Sequence, residues 1–236
     1  MSPFRKLQYR LKFRSDKLAF EEKGGVISKI HAILDDYRKP AGTANGHYFH
    51  QDLLVASMIN KANPHRHIDV GSSVEGFVAH VASFRDIEVF DIRPLQIQGH
   101  PQIRFVQGNL MELDSKLIDC CDSLSCLHAL EHFGLGRYGD PIDPDGHLKG
   151  FANLAKMLRS GGTLYLSFPI GHEPGVHFNA HRVFDPAAPL SWSSDQFELT
   201  RFDHVDDSGR LHLLGDPTNL EPLTYGCGIY TLRKLP

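Results

Sequence analysis

Asp69, Gly71, Ser72, Ser73 and Gly76 crowd a carboxylate, two hydroxyls and two glycines between a short apolar run and an amphipathic one. About twenty residues later a second apolar run, Val89-Phe90, ends in Asp91. A small-residue turn at the mouth of a helix lets a ligand approach backbone N–H groups, and an acid closing the next strand accepts hydrogen bonds from ribose hydroxyls. The spacing therefore predicts a site for an adenosine-containing cofactor. Ser73 and Glu75 stand where a fully glycine-rich turn would leave bare backbone. No G-x-G-x-x-G follows the first strand, which argues against a nicotinamide dehydrogenase. A second chemical cluster is His172, Glu173, His177 and His181. Imidazole and carboxylate suit zinc, iron or manganese, but spacings of five and four through a Gly- and Pro-bearing segment match no closed structural zinc motif. A divalent metal is one reading of this cluster, and solvated or substrate-binding histidines are the other.

The elements that must position these groups alternate regularly. Strands are predicted to end at Asp69 and Asp91, to run over Ile103–Val106, Ser123–Leu127 and Thr163–Phe168, and a helix carries Val74, Phe77, Val78 and Val81 on one face. A further helix over about Gln51 to Lys61 precedes the first strand, and Leu148, Phe151, Leu154 and Leu158 mark another, opened near Asp143 or Asp145 and closed by Gly161-Gly162. Strands separated by helices imply a mostly parallel sheet. The tail, Phe197 to Val205 and Gly228 to Leu232, reads as two strands without an intervening helix, an antiparallel addition. Before residue 46 the pattern changes. Leu7, Tyr9, Leu11 and Phe13 alternate with polar residues as in a strand or extended arm, whose basic side is a solvated face or a surface for acidic lipid or an anionic substrate. Val26, Ile27, Ile30, Ile33, Leu34 and Tyr37 have helical spacing, stopped by Pro40 and Gly42.

Composition sets the limits. The 236 residues are read as an N-terminal extension over 1–45 and one α/β domain over 46–236. Lys plus Arg number 25 against 28 Asp plus Glu, so the net charge of −3 argues against a nucleic-acid partner. No apolar run suits a membrane span and no secretory leader is recognisable, so the expectation is a cytoplasmic protein without an integral membrane segment. Cys120, Cys121, Cys126 and Cys227 form neither a disulfide framework nor a zinc pattern and are read as reduced core thiols.

Asp69-Val70-Gly71, Asp91, Gly108-Asn109, Ala129-Leu130-Glu131-His132 and Leu158-Arg159-Ser160-Gly161-Gly162-Thr163-Leu164, in this order, resemble the class I S-adenosylmethionine-dependent methyltransferases. More narrowly, Gly46 to Asp52, Leu130 to Pro141 and Phe178 to Phe184 resemble an uncharacterised methyltransferase-like family whose bacterial members are often encoded among surface-polysaccharide genes. The resemblance implies a Rossmann-like, doubly wound α/β fold, with a mostly parallel seven-stranded sheet and an antiparallel edge strand. It implies S-adenosylmethionine as cofactor, approached by Asp69, Gly71, Ser72, Ser73 and Gly76 at its amino-acid end, by Asp91 at the ribose, by Asn109 at the adenine amino group and by His128 beside the methionine moiety.

The acceptor that the resemblance implies is a small molecule or glycan, with transfer to an oxygen of a sugar or glycan precursor. Methyl transfer to an alcohol needs a base within reach of its proton. His181, His132, His172 and Asp140, on the loops after the fourth and fifth strands, are the candidates, and Arg137, His177 and Arg182 are candidates for holding the acceptor. Two other functions stay open: a non-catalytic module with the same fold, motivated by Ser73 and Glu75, and a metal-dependent hydrolase or lyase using the His172–His181 loop. The oligomeric state is not legible.

Overall fold

The computed structural model describes residues 3–96, 100–192 and 195–236. Two compact units result, Met1–Ala44 and Asn45–Pro236.

The first unit is built on α1 (Pro3–Glu22). The expected strand at residues 7–13 is thus a helix. Leu7, Leu11 and Leu18 fit a helical repeat as well as Leu7–Phe13 fits a two-residue one, and the flanking Lys, Arg, Leu and Glu are good helix formers. Lys12–Asp16 at 2.7 Å and Lys17–Glu21 at 2.8 Å bridge successive turns. The helix expected from Val26 to Tyr37 does not form; the chain is irregular there, with a turn at residues 35–38. β-branched residues have weak helix propensity, and Val26 and Ile33 remain exposed, so no packing compensates for it.

In the second unit, α2 (His47–Ala62) buries Gln51, Val55 and Ile59 along one stripe and Asp52 and Ala56 beside it. It ends at Asn63, whose left-handed backbone returns an N–H to the Ile59 carbonyl. The chain then alternates through β1 (His67–Val70), a π turn over Val74–Val78 running into α3 (Ala79–Ala82), β2 (Ile87–Asp91), β3 (Ile103–Gln107), β4 (Cys121–Leu127), α4 (Gly146–Met157) and β5 (Leu158–Ile170). A hairpin, β6 (Gly175–His177) and β7 (His181–Val183), and the short α5 (Ala188–Trp192) precede β8 (Phe197–Val205), β9 (Leu211–His212) and β10 (Gly226–Lys234).

The sheet order is β3-β2-β1-β4-β5-β10-β8-β9. The first five strands of that order are parallel, and β10 runs antiparallel between β5 and β8. Seven strands of substance and the two-residue β9 match the expected doubly wound architecture, with its antiparallel component at one side.

Alternation along the strands sorts side chains to two cores. Leu164, Leu166 and Phe168 face α4, with Phe151 and Leu154, while Tyr165, Cys227 and Ile229 face α2 and α3, with Ile59 and Phe77. The four cysteines are buried and unpaired. One boundary differs from expectation: α4 stops at Met157, ahead of Gly161-Gly162. Asp119 and Cys120 donate to the Lys156 and Met157 carbonyls, and Leu158 pairs with Cys121, so the sheet takes over the chain before the glycines are reached. Among the described residues, no helix is long and apolar enough to cross a membrane.

Candidate functional site

The strand order reverses between β1 and β4, and at the carboxyl ends of these strands a cavity of about 920 Å³ opens. This is where ligands bind in doubly wound sheets. The Gly71–Glu75 loop forms one wall, Asp91, Arg93 and Asn109 a second, and His128, His132, Arg137, Tyr138 and His181 the far side, with His47, Tyr48 and Tyr225 at its margin.

The loop is shaped by Gly71. Its φ is +75°, its N–H donates to the Phe90 carbonyl, and a Cβ there would lie 2.8 Å from that of Ala129. Ser73 caps the π turn, its hydroxyl accepting from the Gly76 N–H at 3.2 Å. The hydroxyl thus satisfies one of the free N–H groups at the start of the turn. Glu75 is exposed at the rim.

Asp69 does not reach the cavity, contrary to the cofactor-contact expectation. It is wholly buried, accepting from the Ser72 hydroxyl at 2.7 Å, the Ser72 N–H at 3.1 Å and the Ser125 hydroxyl at 2.6 Å. Burial pushes its carboxyl up to about 7, against the pull of those hydrogen bonds. Its role is to fix the loop from beneath. Gly76 is likewise corrected: it does not line the cavity, and a Cβ there would meet Asp52 Oδ2 at 2.8 Å, so glycine serves the packing of α2.

Asp91 and Asn109 stand on the cavity wall. Asn109 Oδ1 accepts from the Met111 N–H at 3.0 Å. Asp91 is occupied: Arg93 donates from Nε to Oδ1 at 3.0 Å and from Nη2 to Oδ2 at 2.5 Å. Arg93 also lies 4.7 Å from the centroid of the Tyr138 ring.

His128 follows β4 with φ +49°, a left-handed backbone uncommon outside glycine. Its Nδ1 is 2.9 Å from Glu131 Oε1, and its Nε2 is buried with no partner. Burial opposes a charge on the ring, but the neighbouring Cys227 thiol and Glu131 carboxylate outweigh it and raise the imidazole to about 10. His132 Nδ1 donates to the Ala180 carbonyl at 2.7 Å, leaving Nε2 3.7 Å from Glu131 Oε1. Burial lowers its pKa. His181 is placed between His177 and Tyr225, ring centroids 5.1 and 5.5 Å away, and its Nε2 is buried without a partner. Burial and then His177 lower it below the usual histidine range.

Arg137 is at the wall, donating Nη1 to the Ala180 carbonyl at 2.9 Å with its guanidinium 5.1 Å from the Tyr138 centroid. Asp140 also lines the cavity, but its Oδ2 accepts from the Gly134 N–H at 2.7 Å and the Gly136 N–H at 3.3 Å. That engagement makes it the clasp of the Gly134–Asp140 loop rather than a base.

Three further assignments are corrected. Arg182 is buried, donating to the carbonyls of Phe133 at 2.6 Å, Pro144 at 3.0 Å and Glu131 at 3.3 Å, so it holds loops together and has no face toward an acceptor. His172 is outside the cavity, its Nδ1 on the Leu223 carbonyl at 2.6 Å. His177 is on the exposed β6–β7 hairpin and meets the site only through His181. With those positions, His172, Glu173, His177 and His181 do not converge on a metal among the described residues.

His47, Tyr48, Arg93, Tyr138 and Tyr225 were given no role by their sequence positions. The available signals were the family-like runs Leu130–Pro141, which holds Tyr138, and Gly46–Asp52, which brings His47 and Tyr48 against His128 at centroid distances of 5.4 and 4.9 Å.

The model of a family described as "Caenorhabditis protein of unknown function, DUF268" matches residues 82–199. None of the curated proteins matches the chain. Among solved structures, 1,6-didemethyltoxoflavin-N1-methyltransferase from Burkholderia thailandensis, with 1,6-didemethyltoxoflavin and S-adenosylhomocysteine bound, is 17% identical at a TM-score of 0.55, over 100% of this chain and 92% of that one. The [4+2]-cyclase SpnF is 16% identical at 0.56, over 93% and 92%. The N-methyltransferase NodS from Bradyrhizobium japonicum WM9, in complex with S-adenosylhomocysteine, is 10% identical at 0.51, over 88% and 93%. The shared fold is the Rossmann-like methyltransferase architecture; with a cyclase among its bearers, it does not by itself fix a reaction.

Proposed function

We propose that this chain, which belongs to the DUF268 family, is an S-adenosylmethionine-dependent methyltransferase acting on a hydroxyl of a small molecule, of the class of sugars or glycan precursors. The observation that carries the reading is the one continuous cavity running from the Gly71–Glu75 loop past Asp91 and Asn109 to His128 and His181, at the strand-order reversal of a methyltransferase-like sheet.

The residues fit the cofactor. Gly71 makes a cradle that a Cβ would fill, and the partnerless Nε2 atoms of His128 and His181 and Oε2 of Glu131 leave polar groups for ligands to satisfy. Gly71, Ser72 and Ser73 would receive the amino-acid end, Asp91 the ribose hydroxyls and Asn109 the adenine amino group. When bound, S-adenosylmethionine supplies a methyl carbon on a positively charged sulfur. His181, neutral at pH 7 because burial disfavours its charge, would take the acceptor's proton at Nε2. Arg137 would orient the acceptor, while His132, its Nδ1 proton given to Ala180, stays fixed as a wall.

The grip of Arg93 on Asp91 favours a second reading, a binding module whose ribose acid is permanently neutralised. Calorimetric titration with S-adenosylmethionine and S-adenosylhomocysteine separates the two. Saturable micromolar binding supports the transferase, and no binding to folded, ligand-free protein leaves the module.

A further inference from the structure

We propose that His47, His128 and Cys227 form a zinc site whose fourth coordination position opens into the cavity and takes the nucleophilic oxygen or sulfur of the acceptor. The second half rests on the methyltransferase reading; the site itself does not.

The three residues come from distant parts of the chain: the first turn of α2, the residue after β4 and the strand β10. Their ligand atoms nevertheless all lie within 4.8 Å of one another. Zinc bonds of about 2.0–2.3 Å in a tetrahedron space donors roughly 3.3–3.6 Å apart, so modest side-chain rotation closes the set. Thiolate and imidazole are both zinc donors, and three protein ligands with one position left open is the arrangement of zinc sites that handle substrate.

His128 makes the strongest case. Its Nδ1 proton goes to Glu131, so a metal that displaces the other ring proton would meet the lone pair on Nε2. That side chain is 5% exposed, and Nε2 has no partner. A buried ring nitrogen without a hydrogen-bond partner is costly. A histidine whose other nitrogen donates to a carboxylate is the usual way to orient a metal ligand, with Glu131 as the orienting group here. The left-handed φ of +49° holds the ring in this place at the expense of backbone strain.

Cys227 is wholly buried; its thiol neighbours the His128 ring and otherwise has long contacts, to Gln51 Oε1 at 3.9 Å and the Gly228 carbonyl at 3.7 Å. The His47 ring stacks on His128, 12° from parallel. His47, His128, Tyr48, Tyr225 and His181 all border the cavity, so the open position faces the space assigned to the acceptor. A zinc ion there withdraws charge from an acceptor hydroxyl or thiol and eases loss of its proton to His181.

The test uses the full chain, stripped with a chelator and titrated with Zn2+ and separately with Co2+. The expected result is about one equivalent of either metal per chain and, for cobalt, a thiolate-to-metal charge-transfer absorption. Cys227→Ser abolishes that absorption, His128→Ala reduces uptake at least about tenfold, and Cys120→Ser and His172→Ala leave both unchanged. If the serine variant does not fold, the wild-type chain decides alone: the cobalt absorption together with a thermal midpoint that falls on chelation supports the site, and cobalt-loaded protein without that absorption overturns it. Folded chain that takes up no metal, or Cys227→Ser that binds it like wild type, also overturns it. Titration of the metal-free chain with S-adenosylmethionine keeps the two readings apart. Zinc without cofactor binding supports the metal site while removing the transferase, and cofactor binding without zinc overturns the metal site while keeping the transferase.

Discussion

Arg93 holds both carboxylate oxygens of Asp91, two residues before it in the chain, while its guanidinium lies over the Tyr138 ring. The acid assigned to the ribose is therefore reached only by displacing a cation. Arg93→Ala is expected to tighten S-adenosylmethionine binding about two- to fivefold, since a partly exposed ion pair that must be broken is worth roughly 0.5–1 kcal/mol. Asp91→Ala is expected to abolish saturable binding. Calorimetry on both variants checks this, and undiminished affinity in Asp91→Ala would remove the ribose assignment.

His181→Ala is expected to lower kcat by about two orders of magnitude while leaving cofactor affinity in place, because a positioned base contributes ~10²–10⁴ in rate. Burial lowers the His181 pKa, so the wild-type rate should fall on acidification with a midpoint below that of an ordinary histidine. A pH–rate profile on the isolated chain, with Asp140→Asn for comparison, reads this directly. An inactive Asp140→Asn that still folds would move the base to that carboxylate.

Asp69 gives a prediction about stability. Its folded pKa is about 7, against ~3.9 for an unfolded aspartate, so between these values the folded state binds more protons than the unfolded one. The favourable contribution is complete below about pH 4 and is lost as pH rises toward about 7. Asp69→Asn removes that dependence, and its thermal midpoint should vary less across the interval than that of the wild type. Parallel slopes in the two proteins would refute the burial argument.

Arg182→Met is expected to destabilise the fold by about 2–4 kcal/mol, because it leaves buried carbonyls at Phe133 and Pro144 without their donor. Denaturant midpoints measure the loss. Acceptor KM in the surviving folded protein should be unchanged, and a selective rise in KM would restore a substrate role.

Much of the sheet was legible because most parallel strands are short apolar runs bounded by turn residues; Asp91 closes β2 as expected, while β1 runs one residue past Asp69 to Val70. The same local logic misread residues 7–13, where a few alternating positions fit two periods and only the length of the helix separates them. Side-chain roles were harder to read. Arg182 and Asp140 have the chemistry of binding residues, yet the carbonyls and N–H groups that occupy them belong to segments up to about fifty residues away. Cys227 and His47 are 180 positions apart, and no spacing rule joins residues brought together by three different elements.

The inner position of β10 has a consequence for biosynthesis. This strand is translated after every other strand of the sheet, yet it lies between β5 and β8; Tyr225, which lines the cavity, immediately precedes it, and it carries Cys227 next to His47 and His128. Until it emerges from the ribosome, β5 and β8 each present an unpaired edge, and the ligand site lacks one wall. A nascent chain is thus aggregation-prone and ligand-blind together, and both conditions end with the same insertion event.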